Sequence, residues 1–386
     1  MNGKLGLTGV SILFVLATLA ACGGGGGAGD AAVTPSPNGG GGGGGSATAP
    51  PANNVPRFAY VTNLFDGNVS AYTINAATGA LTSVGAAVAA GTGSHCVSVD
   101  PSGKFAYVAN NQSANVSAYT INASTGVLSE VAGSPFAAGS GPRSVSVDPL
   151  GKFAYVANGN SFNVSAYTIN PATGALTSIG TAVAAGTSPS AITVDPSGRF
   201  AYVVNQTDVL AYTINAATGA LTSIGAAVAG TDPYSVTVDH SGKFAYVANA
   251  RSANVSAYTI NASTGALSEV AGSPFAAGTD PQSVSVDPSG KFAYVANWSS
   301  NDVSAYTINA STEALLEVAG SPFAAGSGPA AVTVDPSGKF AYVANAVSDN
   351  LSAYTINATT GALTSVGAAV AAGTRPLSVT TTGTIQ

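Results

Sequence analysis

Apolar and polar residues alternate with period two along most of this chain, in short runs broken by turn residues. One unit shows the pattern. Ser144-Val145-Ser146-Val147 alternates and ends in the turn Asp148-Pro149-Leu150-Gly151. Phe153 to Asn158 is rich in aromatic and β-branched residues. Val164 to Asn170 is a third alternating run, and Pro171-Ala172-Thr173-Gly174 a second tight turn. Leu176 to Val183 is a fourth, less regular run, followed by the linker Ala184 to Pro189. Asp accepts hydrogen bonds from following amides, Pro presets φ, and Gly accepts positive φ, so each break is a turn with a mechanism. Four short antiparallel strands are predicted per unit.

The unit repeats with a period in the forties, which marks a repeat architecture. The Asp-Pro-Ser-Gly type turn and the strand after it recur from Asp100, Asp148, Asp195, Asp239, Asp287 and Asp335. Phe58 to Asn63 supplies the strand alone once more. In the third strand Tyr167 and Ile169 fall on one face and Val164 and Ala166 on the other. A free sheet would show one polar face, so both faces are predicted to be covered by neighbouring sheets. Abundant Ala allows close approach, and the Tyr hydroxyls are expected to reach a partner or a blade edge. The prediction is an all-β, seven-bladed β-propeller of four-stranded antiparallel blades. The first unit lacks its inner strand, and Arg375-Pro376-Leu377-Ser378-Val379-Thr380 matches the start of other inner strands after its first position. Residues about 376–382 are therefore expected to close the ring, which removes exposed edges.

Three segments follow. Residues 1–21 read as a secretory signal: Lys4, then an apolar run from Leu5 to Ala21 too short for a comfortable membrane span. Leu19-Ala20-Ala21-Cys22 resembles the bacterial lipobox, which implies lipidation of Cys22, a membrane anchor and an exported protein. Gly23 in place of Asp resembles the pattern sorted to the outer membrane. Residues 22–54 are Gly-, Pro- and Ser-rich and cannot offset their ordering entropy, so a flexible tether of roughly 30 Å reach is expected. Residues 55–386 are assigned to the propeller, expected as a monomer.

Charge narrows the function classes. With 11 Lys and Arg against 17 Asp and Glu and no basic cluster, nucleic-acid binding is excluded. Neither a metal-ligand cluster, a cofactor motif nor a nucleophile elbow is present, so no metal and no cofactor is expected. Cys96 reads as a small buried residue. The Asp turns, His240 and the outer-strand Glu130, Glu269 and Glu317 read as structural or solvated groups, the acids discouraging edge pairing. Blade four is two residues short at Gln206 to Leu210, which would notch the top face.

Chemistry is expected where the repeats differ. The bottom turns are nearly constant, whereas the top loops vary, and sites sit in variable loops on rigid scaffolds. The most variable core-proximal position follows the linker Pro: His95, Arg143, Ser190, Tyr234, Gln282, Ala330 and Leu377 around the ring. His95 and Arg143, on adjacent blades, are the candidate catalytic pair, a general base and an anion holder. Ser190, Tyr234, Gln282 and Trp298 are candidate ligand contacts. Simple exposure of this variable position is the bland alternative.

Phe58-Ala59-Tyr60-Val61-Thr62-Asn63 contains Tyr-Val-Thr-Asn itself. From here to its end the chain resembles the YVTN-type propellers of the lactonase-like superfamily, which includes 6-phosphogluconolactonase-like enzymes. WD40 propellers are disfavoured by a single Trp, while NHL-type propellers share the Val-Ala-Asn flavour. The resemblance implies a sugar-lactone hydrolase. Lactonase-type members often show Cys-His or Arg-His where the inner strand begins. Here blade two has His95-Cys96 and blade three Arg143-Ser144. The acidic residue often found after the second strand is replaced by Asn111, Gly159 and Gln206. Two functions are therefore carried forward. One is a binding or scaffold module presenting a top face with Phe65, Phe162 and Trp298 to a protein, glycan or small molecule at the cell envelope. The other is a lactone hydrolase at the channel mouth.

Overall fold

The computed structural model describes residues 57–383. The expected signal segment, Cys22 and the tether lie outside them. The described chain forms seven antiparallel sheets arranged as blades. Blade three is representative: inner strand Pro142–Val147, then Phe153–Asn158, Asn163–Ile169 and Leu176–Ser178, paired in sequence order. The expected fourth strand is split, because Val183–Ala184 pairs separately with the third. In blade four alone it is continuous, over Leu221–Val228.

The ring closes as expected. Pro376–Thr382 pairs antiparallel with Phe58–Asn63 and serves as the inner strand of blade one. Inter-strand amides and carbonyls that an open array would expose are thereby paired.

Blade-to-blade packing explains why both strand faces are apolar. Every second strand but that of blade five, whose Phe244 is half-buried, is buried end to end, as in Phe105–Asn110. Each of the seven large clusters of buried side chains takes residues from two neighbouring blades: Tyr107, Val116 and Ala118 pack with Val145, Val156 and Tyr167. The tyrosine hydroxyls cross the same seams. Second-strand Tyr155 donates to the Gly219 carbonyl of the next blade at 2.9 Å, and third-strand Tyr167 donates back to the Ala137 carbonyl at 2.7 Å. Burial lifts the pKa of both phenols. Around the channel, Ser144 Oγ accepts from the Ile192 amide at 3.1 Å, and Ser283 Oγ from the Val332 amide at 3.2 Å. Cys96 occupies the same position: the Val145 amide points to its sulfur at 3.5 Å. Its place in the fold is thus the seam between blades two and three.

The bottom turns behave as their residues dictate. Asp195 Oδ1 accepts the Arg199 and Phe200 amides at 2.9 and 2.8 Å, and Oδ2 accepts the Ser197 amide at 3.1 Å. Gly198 sits at φ +68°. These carboxylates are occupied by their own turns, and no cluster of metal-ligating side chains occurs among the described residues. His240 and the outer-strand Glu130, Glu269 and Glu317 are exposed.

Candidate functional site

The variable residues at the top of the inner strands are placed by a repeated irregularity. Pairing between the first and second strands shifts at Ser94/Cys96, Pro142/Ser144, Pro233/Ser235, Pro281/Ser283 and Pro329/Ala331. On the closing strand Asn63 pairs with Pro376 and Thr62 with Ser378. The skipped residues are His95, Arg143, Tyr234, Gln282, Ala330 and Leu377. A bulged residue has no ladder partner, and the bulge re-aims its side chain. Blade four lacks this shift: its strand starts at Ala191, and the Ser190 amide donates to Val204.

A left-handed residue precedes each linker Pro, or Ser94 in its place. Gly93, Gly141, Ser188, Asp232, Asp280, Gly328 and Arg375 have φ between +52° and +70°. Their conformation turns a carbonyl to the residue after the second strand. The Gly141 carbonyl accepts from Gly159 at 2.7 Å, and the Asp280 carbonyl from Trp298 at 2.9 Å. Four of the seven are not glycine, although an L side chain is strained at this φ.

The residues after the second strand form a second tier, fitted in size to the first. A Cβ on Gly159 would lie 2.6 Å from Arg143 Nε, so the guanidinium stem crosses the space that a side chain would fill. Tyr234 packs on Ala250. Ala330, Ala346 and Leu377 form one apolar group with Leu64 and Trp298. The mouth is therefore apolar on blades seven and one, together with Trp298 of blade six, and its first tier is polar on blades two to six.

The variable residues are not an exposed, drifting ring. His95, Ser190, Tyr234 and Gln282 are each 5 % exposed or less, while Arg143 is half-buried. His95 and Arg143 do meet. The Arg143 charge and backbone both act on the His95 ring, whose Nδ1 is buried with no partner. Burial, then the Arg143 and Arg375 charges, lowers the His95 pKa to about 3. The imidazole is thus neutral near pH 7, with Nδ1 buried and unpaired. The Arg143 guanidinium donates to Ser188 Oγ at 3.0 Å. Burial lowers the Arg143 pKa, opposed by Tyr234 and Asp232. Tyr234 is pushed well up by burial, with the Arg143 and Arg375 charges working the other way. A protonated phenol is therefore available as a donor.

Other predicted contacts have different partners. Ser190 turns its hydroxyl to the Pro233 carbonyl at 3.0 Å. Gln282 Nε2 donates to Asp280 Oδ1 at 2.7 Å, and its Oε1 is buried without a partner. The Arg375 guanidinium lies 5.7 Å from the Trp298 ring centroid and 5.0 Å from that of Phe65. Phe162, by contrast, is half exposed on blade three and belongs to none of the core clusters.

Sequence reading missed Arg375, Asp232 and Asp280. All three replace a small residue or Gly before the linker Pro. That departure is visible in the repeats, but the left-handed backbone that aims them is not.

The chain matches the model for "Lactonase, 7-bladed beta-propeller" in three overlapping stretches, residues 51–137, 95–280 and 271–380. No curated sequence matches at a significant level. Solved structures of the same fold include a candidate 6-phosphogluconolactonase from Bacteroides uniformis: 18 % identity, TM-score 0.75, covering 85 % of this chain and 99 % of that one. A second candidate, from Bacteroides fragilis, has 20 % identity and a TM-score of 0.74 over 86 % of this chain and 99 % of its own. A periplasmic gluconolactonase from Pseudomonas aeruginosa has 17 % identity and a TM-score of 0.70 over 84 % and 99 %. At these identities the likeness carries the fold. The family match spans most of the chain, and with ring closure and seven blades it has one meaning: this chain belongs to the Lactonase family of seven-bladed β-propellers.

Proposed function

We propose that the chain hydrolyses a sugar lactone at the top mouth of its channel. The carrying observation is the unbonded Nδ1 of a buried, neutral His95 beside Arg143, in a chain that matches the Lactonase model. In this reading Nδ1 takes a proton from the water that attacks the lactone carbonyl, and Arg143 stabilises the charge developing on the carbonyl oxygen. The C–O bond of the ring then breaks. The proton passes to the ring oxygen as it leaves, yielding the open-chain hydroxy acid. Tyr234 and Gln282 would orient the sugar hydroxyls. Gly159, through the room it leaves for Arg143, stands where the family often carries an acid.

The test is hydrolysis of a panel of sugar lactones by the wild-type chain, followed by proton release. Turnover that His95→Ala removes while the protein stays folded supports the reading. A panel with no turnover above the uncatalysed rate overturns it.

One observation favours a second reading, a binding module for a protein, glycan or small molecule at the envelope. A His pKa near 3 makes a weak base at neutral pH, and Nδ1 would then serve only as a hydrogen-bond acceptor. Saturable binding of a lactone without turnover selects this reading. In either case the proposed location is the bacterial outer membrane, through a lipid on Cys22. Cys22→Ala should release the protein from membranes; retention would contradict the anchor.

A further inference from the structure

Arg375 immediately precedes the last strand of the chain, Pro376–Thr382, yet it reaches the site built by blades two to six. Its electrostatic influence extends to both His95 and Tyr234. Its guanidinium lies over the Phe65 and Trp298 rings, which hold the planar group by cation–π attraction while leaving its edge donors unused. Nε is buried with no partner. Among the described residues the side chain has neither a hydrogen bond nor an ion pair, and the one ion pair present joins Arg251 to Asp232.

The nearby acids are otherwise engaged. Asp349 Oδ1 accepts the Arg375 backbone amide at 2.7 Å, and Asp66 Oδ2 accepts the Thr374 amide at 2.7 Å. Asp280 holds Gln282 and Ser299, and Asp232 holds Arg251. A part-buried cation with an orphaned donor is costly unless something completes it. The backbone adds to this. Arg375 is at φ +59°, where Gly93, Gly141 and Gly328 stand in other blades, so its side chain is present despite local strain.

We propose that Arg375 seats an anionic group, a carboxylate or a phosphate ester, of the sugar-sized ligand bound at the mouth. This rests on the mouth being a ligand site, not on hydrolysis occurring there. Planar guanidinium donors suit both groups, and the two aromatic rings restrict the guanidinium before the ligand arrives. The anion would sit on the apolar side, with the hydroxyl-bearing part towards Tyr234 and Gln282. Because Arg375 enters with the closing strand, the site would be complete only in the closed ring.

The experiment is calorimetric titration of the full chain with gluconate, glucose 6-phosphate and neutral glucose. Wild type should bind at least one anionic probe tenfold or more tighter than glucose, and the stronger of the two identifies the group. Arg375→Gln should erase that preference and leave glucose affinity unchanged. Arg375→Gly supplies the folding control: it suits the left-handed backbone, so its melting temperature should equal or exceed wild type while the preference is lost. Equal affinity for anions and glucose in wild type, or a preference that survives in both variants, overturns the proposal. Anion binding without lactone turnover would leave Arg375 standing and remove the hydrolase reading.

Discussion

The two ends of each inner strand use polar residues in opposite ways. At the bottom, Asp195 spends both carboxylate oxygens on the amides of its own turn, and its counterparts repeat the arrangement. At the top of every blade but the fourth, a bulge and a left-handed residue release one side chain from the ladder. Two of those side chains, His95 and Gln282, keep a buried polar atom without a partner. Buried polar groups in folded proteins are nearly always paired. The Asp turns at the bottom are therefore finished structure, whereas the top keeps unpaired polar atoms at His95, Gln282 and Arg375. The same strands carry both, which separates scaffold from site within a single repeat.

The contrast breaks most visibly at Arg143. Arg143→Ala should lower lactone turnover by about 10²-fold or more, as for loss of an oxyanion donor. Gly159→Ala should act in the same direction by displacing the guanidinium, since its Cβ would lie 2.6 Å from Nε. Steady-state kinetics beside melting curves check both, with the melts close to wild type.

The mirror-image change is Asp195→Ala. It strands the Ser197, Arg199 and Phe200 amides and should cost about 3 kcal/mol in denaturant unfolding, at unchanged turnover per folded molecule. If instead this variant lost activity at full stability, the bottom turns would be part of the site.

Acid should reveal the top separately. The folded His95 pKa is depressed to about 3 from an ordinary 6.5, so the folded chain binds fewer protons than the unfolded one across that window. The stability contributed by the neutral ring is present above pH 6.5 and lost as pH falls towards 3. Unfolding measured against pH in wild type and His95→Gln should diverge there: the wild-type curve falls more steeply. Parallel curves would contradict the neutral, buried ring.

The smallest expected effect restores regularity. Glu313 stands at φ +57° where the other blades have Gly. Tyr246 reaches its carboxylate at 3.4 Å rather than a glycine carbonyl, and Phe244 is half-buried where its counterparts are buried. A Cβ at the equivalent Gly265 would lie 2.3 Å from Phe200, which accounts for the displaced ring. Glu313→Gly should therefore stabilise by about 1 kcal/mol, read as a higher melting temperature. Burial raises the Glu313 pKa, so the gain should grow as pH rises above the ordinary carboxylate range. The Thr-Glu in place of Thr-Gly is plain in the repeats; its collision with the preceding blade is not.

The sequence by itself determined the blade. Period-two alternation, fixed turn residues and a repeat in the forties specify four strands, seven units and a closing strand, because these signals are local and the chain repeats them. It also marked the ring from His95 to Leu377 as the place where the repeats diverge. Tertiary structure alone decided what that ring is. Bulges set the aim of His95, Arg143 and Tyr234. The absent side chain at Gly159 makes room for Arg143. Burial and two arginines from different blades keep His95 neutral. Arg375 reaches the mouth only because Pro376–Thr382 pairs with Phe58–Asn63, more than three hundred residues earlier. A pKa, an orphaned donor and a shared mouth depend on distances between residues far apart in sequence, and closure of the ring is what fixes those distances.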